Sequence, residues 1–200
     1  MIILLVMVMT MAQTKPVSEI LQAKYAGNNQ RVQELLGTGI ELNIFEAAAT
    51  GQTMRVRSLV TADPSLVNAY APDGFFPLAL AVFFGNAETA AALLDAGADA
   101  NLQSRESMKI AALHSAIAAR RLDLARMLLD RDANPNARAE TGLTPLHSAA
   151  GSGQTDVAIL LLERGADINA QDDRGQTPLG LSTEKQQNAM ATLLRQRGGR

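Results

Sequence analysis

The chain has 200 residues, with 18 Lys and Arg against 20 Asp and Glu, a net charge of −2, 47 % hydrophobic residues and no cysteine or tryptophan. These figures exclude disulfides, thiol catalysis and zinc–thiolate sites, and they leave no electrostatic case for nucleic acid or an anionic membrane surface. Abundant Ala and Leu with few aromatics favour helices, because those residues lose the least freedom in one.

The chain opens on an apolar run, Met1-Ile-Ile-Leu-Leu-Val-Met-Val-Met9, far below the roughly twenty residues needed to cross a bilayer. One reading is a short signal-peptide core, with Thr10-Met-Ala12 supplying small residues near a cleavage point, although no Lys or Arg precedes it. The other is a later start, at Met7, Met9 or Met11. A cytoplasmic location is the leading expectation; a periplasmic or secreted one follows if residues 1–12 are a signal. Residues 16–200 are expected to form a single domain, with Arg195, Arg197 and Arg200 a solvated tail.

A fixed period runs through that domain. Thr144-Pro-Leu-His147 recurs 33 residues later as Thr177-Pro-Leu-Gly180, and Leu113-His114 precedes Leu146-His147 by the same 33. Gly165-Ala-Asp-Ile-Asn169 answers Asp132-Ala-Asn-Pro-Asn136 at 33; Gly97-Ala-Asp-Ala-Asn101 lies 35 before that, so two residues are inserted within 102–110. Leu66-Val-Asn68 continues the series upstream. Within one unit, Thr144 caps a helix and Pro145, first in it, loses only an N–H that had no partner. That helix runs from Pro145 to Gly151, and Gly153 ends it. A second runs from Asp156 to Arg164 with Val157, Leu160 and Leu161 at helical spacing. Gly165 stands where a helix end needs a left-handed residue, and turn formers over 167–175 lead to the next unit.

These residues resemble the ankyrin repeat, whose Thr-Pro-Leu-His helix, glycine, Leu-rich helix and Gly-Ala-Asp-x-Asn turn are met at 142–169. The resemblance extends from about residue 17 to the end. It implies an all-α ankyrin-repeat solenoid of stacked helix-turn-helix units with short β-hairpin fingers on one side. Six units follow in chain order. The first, 17–43, carries Gly27, Val32, Leu35-Leu36 and Gly39-Ile-Glu-Leu-Asn43 and runs straight into Ile44, so its hairpin is expected to be missing. The second, 44–70, has Ala62-Asp-Pro-Ser-Leu-Val-Asn68 in place of a glycine turn. Units three to five are 71–105, 106–138 and 139–171. In unit four Ala111-Ala112 replace Thr-Pro, and Arg120 and Asp132 replace the two helix-ending glycines. The sixth, 172–200, has Gly180 for His, Gln186 for Gly and a polar second helix at 184–188, as a solvent-facing cap requires.

Little in the chain suggests chemistry. The only histidines, His114 and His147, occupy one position in successive repeats, too far apart to share a metal across helices packed about 8–10 Å apart. The resemblance makes this His a structural residue that bonds backbone across repeats. Asp167, Asn169, Asp172 and Asp173 lack the calcium-loop spacing and read as turn formers. Ser115 and Ser148 directly follow the histidines, and adjacent helical residues do not face each other. The expectation is therefore a protein that is not an enzyme and holds no cofactor or metal.

Tyr70, Phe75, Phe76, Phe83 and Phe84 fall within fifteen residues of a chain whose only other aromatics are Tyr25 and Phe45. Phe76 replaces the Thr cap and is expected to be half-buried. The others are candidate anchors, since large rigid side chains dominate interface hot spots. In ankyrin proteins the fingers and the first-helix face carry partner contacts. The resemblance thus marks Tyr70, Phe75, Phe83, Phe84, Ala118, Glu140, Thr141, Leu143, Ser152, Asp173 and Arg174 as protein-binding positions. The expected function is a monomeric, non-catalytic protein–protein interaction module with an unidentified protein partner, binding neither nucleic acid nor membrane. The alternative is a small-ligand-binding protein or enzyme using Phe75, Phe83 and Phe84 as a pocket.

Overall fold

The computed structural model describes residues 17–200, so the apolar segment 1–15 and the signal or later start read from it lie outside the described residues. Twelve α-helices are described, and they alternate as pairs. The chain divides into two compact units: one reaches Asp99 and takes in Ser104–Glu106, the other comprises Ala100–Gln103 and Ser107–Arg200.

The first unit contains α1 (Glu19–Tyr25), α2 (Asn29–Gly37), α3 (Ile44–Thr50), α4 (Thr53–Ala62), a 3-10 turn (Pro64–Asn68), α5 (Pro77–Phe83) and α6 (Ala87–Asp95). Asn43 caps α3 by accepting from Glu46 N at 3.0 Å, while the Glu46 carboxylate accepts from Asn43 N at 2.8 Å. This capping box satisfies donors that the first helical turn leaves free. Only six residues lie between the end of α2 and the start of α3, so no finger separates these two pairs. Helix α3 packs against both α1 and α5, and its wholly buried Ala47, Ala48 and Ala49 allow the close approach. Asn86, at the start of α6, leaves its own helix uncapped and donates to Ala48 O and Ala49 O at 2.9 and 3.0 Å. A side chain at Gly51, whose φ is 74°, would run into Asn86.

The second unit contains α7 (Ala112–Ala118), α8 (Leu122–Leu129), α9 (Pro145–Ser152), α10 (Thr155–Glu163), α11 (Pro178–Glu184) and α12 (Asn188–Gln196). Helix α9 packs between α7 and α11, and α10 between α8 and α12. Leu113, Ile117, Leu124, Leu128, Leu146, Leu160 and Leu161 fill the core. An asparagine ladder links successive repeats. Asn101, Asn136 and Asn169 accept from the backbone N–H of Asn134, Asp167 and Arg200 at 2.7, 2.8 and 2.8 Å. Asn101 and Asn136 also donate to Asp132 O and Gly165 O at 3.0 and 2.9 Å. Each turn is thereby tied to the one that follows. The residues at 184–188, expected to form a second helix, are instead the end of α11 and the turn into α12, because Gln186 takes the left-handed conformation at φ 57°.

The short β character expected of the fingers is not seen as strands. Among the described residues there is no strand, only the single bridge between Gln103 and Ala111. The fingers at 139–143 and 172–176 are each closed by one bond across the base, from Ala139 N to Leu143 O at 2.9 Å and from Asp172 N to Gln176 O at 3.0 Å. Successive tips are joined by Glu140 N donating to Met108 O and Asp173 N to Thr141 O, at 2.9 and 3.1 Å. In the finger at 71–75 the matching donor position is Pro72, which has no N–H. It stands where no preceding finger exists to accept one.

Candidate protein-binding surface

In the first unit the aromatic side chains separate into packed and open rings. Tyr25 ends α1, is buried, and donates its hydroxyl to Asp73 Oδ2 at 2.8 Å. Asp73 also accepts from Phe75 N at 3.2 Å. Burial, then the adjacent Asp73 charge, drive the Tyr25 hydroxyl far above the ordinary tyrosine range. Phe75 lies 6.5 Å from the Tyr25 ring and is only 5 % exposed. This corrects the expectation of a finger-base contact. With no finger between the first two helix pairs, Tyr25 reaches over α3 to the finger at 71–75 and covers Phe75. Phe76, expected to be half-buried, is 1 % exposed, its ring edge-on to Tyr70 at 6.3 Å.

Phe83 and Phe84, by contrast, stay half-buried at the end of α5. They meet edge to face at 5.2 Å, and Phe84 also lies 5.7 Å from Tyr25. Lys24 places its ammonium 4.6 Å from the Phe84 ring centre, and burial lowers its pKa from the ordinary lysine value. Tyr70 is half-buried beneath the Arg105 guanidinium, 3.9 Å from its ring centre. The part played by Tyr25 and Lys24 was not read from the sequence. Its signal was the bulky pair at the end of the first helix of a truncated unit.

The second unit carries the remaining expected positions. Ala118 ends α7 and Ser152 ends α9, both half-buried; the Ser152 hydroxyl donates to Ser148 O at 2.7 Å and accepts from Gln154 Nε2 at 2.7 Å. Glu140 and Thr141 are exposed on one tip, where Lys109 pairs with Glu140. Leu143 is half-buried at that finger's base. Asp173 and Arg174 are exposed on the next tip, Asp173 held by Arg138 at 3.2 Å and Arg174 by the buried Asp172 at 3.2 Å. The structure thus brings Glu140, Thr141, Asp173 and Arg174 to adjacent tips, with Ala118 and Ser152 at the ends of neighbouring helices.

The histidines do scaffold work. His147 Nδ1 accepts from Thr144 N at 3.2 Å while Nε2 bonds Gln176 O at 2.9 Å; His114 repeats this with Ala111 N at 3.4 Å and Leu143 O at 3.3 Å. A carbonyl only accepts, so both rings are neutral with the proton on Nε2. Burial pushes the His114 pKa down to about 4 and lowers that of His147 as well. Two open hollows in this unit are lined chiefly by Asn136, Arg138, Asn101 and Asn169, side chains already bonded to neighbouring backbone. Among the described residues no group of His, Asp and Glu could hold a metal ion, and no helix is long and apolar enough to cross a membrane.

No curated protein matches the chain. A family model, ankyrin repeats (3 copies), matches it twice, over residues 20–139 and 113–199. Members of that family are generally protein–protein interaction modules and are typically non-catalytic. Together the two matches span residues 20–199, which hold the paired helices and the asparagine ladder, and the chain belongs to the ankyrin repeat family.

Proposed function

We propose that the chain is a non-catalytic binding module that holds a protein partner on the face formed by α1, α3 and α5. The observation that carries this reading is the pair Phe83 and Phe84. The matching positions are Ala118 and Ala119 at the end of α7 and Gly151 and Ser152 at the end of α9. Two large rings left half-open where units four and five use small residues add apolar surface, which is the character of an interface anchor. The pocket reading loses support, because Phe75 is sealed under Tyr25 and offers no floor. The near-neutral charge supports a protein partner over nucleic acid, and a monomeric, cytoplasmic protein remains the accompanying expectation.

Cross-linking in the native host followed by titration of the captured protein tests this. The double substitution Phe83→Ala and Phe84→Ala is expected to weaken that complex by more than about ten-fold with helix content retained. Unchanged affinity in a folded variant contradicts the proposal.

A further inference from the structure

The chemistry of the partner can be taken one step further, resting on the surface just proposed. Lys24 is the cation beside Phe84, and it differs from two arginines of the same unit. Arg31 holds Glu19 at 2.6 Å and Glu34 at 3.1 Å, and Arg55 holds Glu41 at 2.7 Å. Among the described residues no carboxylate pairs with Lys24; its one described contact is the Phe84 ring. The carboxylate facing this cluster, Asp73, is buried and accepts from Tyr25 and Phe75 N. An ammonium has three hydrogens to donate, and a ring face replaces only part of the water it displaces. Lys24 is therefore a half-buried cation placed at the edge of open aromatic surface with its donors uncommitted.

We infer that the partner presents a short acidic–apolar segment, an aliphatic or aromatic side chain packing on Phe83 and Phe84 and a carboxylate within a few residues of it pairing with Lys24. Packing of the apolar residue removes water from the Lys24–carboxylate pair, so the pair contributes more than an exposed ion pair does. The combination also selects: a basic segment would set like charges together, and a purely apolar one would leave the ammonium desolvated and unpaired.

The test uses 12-residue peptides selected on the full-length chain from a random displayed library, then synthesised with blocked ends and measured by fluorescence anisotropy. The selected peptides are expected to carry Asp or Glu within three residues of Leu, Ile or Phe. Lys24→Met, which keeps the aliphatic packing on Phe84, should weaken binding by about ten-fold, and Lys24→Arg should largely restore it. Changing the peptide's carboxylate to the amide should erase the difference between wild type and Lys24→Met. Peptides that lose affinity on Phe83→Ala but ignore Lys24→Met overturn the inference and leave the binding surface standing. Peptides indifferent to both substitutions, or a chain that instead pairs with a second copy of itself through this patch, overturn both.

Discussion

Four residues other than glycine hold left-handed backbone among the described residues: Lys109, Arg120, Asp132 and Gln186, at φ 48°, 56°, 63° and 57°. Arg120 and Asp132 were legible, because the repeat aligns them with Gly153 and Gly165, which have the same conformation at φ 67° and 85°. Lys109 was not. It takes the part of Gly142, 33 residues on, but nothing about a lysine marks a left-handed position. A residue with a Cβ costs about 1–2 kcal/mol in this region, somewhat less for Asp. Arg120→Gly and Asp132→Gly are each expected to raise stability by up to about 1 kcal/mol in urea unfolding, the unfolded-state entropy of glycine offsetting part of the gain. At His114 the sign of the pH effect is fixed by a folded pKa of about 4, below the ordinary 6.5. The unfolded chain takes up its proton first as pH falls, so stability is complete above 6.5 and drains away between 6.5 and 4. The loss from this residue approaches about 3 kcal/mol at the acid end. An NMR titration in which the His114 ring stays neutral through pH 5 supports this; a midpoint near 6.5 contradicts it.

At the scale of elements, the pairing of Tyr25 with Asp73 and Phe75 was hidden from the sequence because it spans two repeats and depends on a finger that is absent. A positional alignment treats Phe75 as an ordinary finger residue. It cannot show that the space beside it is closed from α1. Phe75→Ala is accordingly expected to cost about 3 kcal/mol or more of stability, as a truncated buried ring does, whereas Phe83→Ala costs about 1 kcal/mol. Chemical denaturation of the two variants side by side checks the contrast, and equal losses would mean that Phe83 is core as well. The α7–α8 pair has no side-chain cap at Ala111 or Arg121 and holds Arg120 left-handed between its helices. The α9 helix has Thr144, Pro145 and Gly153 in their favoured places. Repeat stability sums unit and neighbour terms, so the weaker pair opens first. Amides over 106–138 should exchange with solvent faster than those over 139–171; equal or slower exchange would show that neighbouring helices outweigh the poor local sequence.

For the molecule as a whole, the repeat fold was legible because one physical constraint recurs. Asn101 and Asn136 each reach the next turn, Thr144 and Thr177 each cap a first helix, and small residues recur in those helices. The detail of the fingers was not, since residue pattern does not reveal that those at 139–143 and 172–176 each close with a single cross-base bond. Function divides along the same line. A binding role follows from the family, while the place of binding depends on which rings the stack leaves open. The most direct measurement is hydroxyl-radical footprinting of the chain alone and in complex with its captured partner. Phe83 and Phe84 should become protected, while Met54 on α4, 77 % exposed, should react equally in both. Protection of Met54 with Phe83 and Phe84 unchanged would place the partner on the opposite helices and contradict the account.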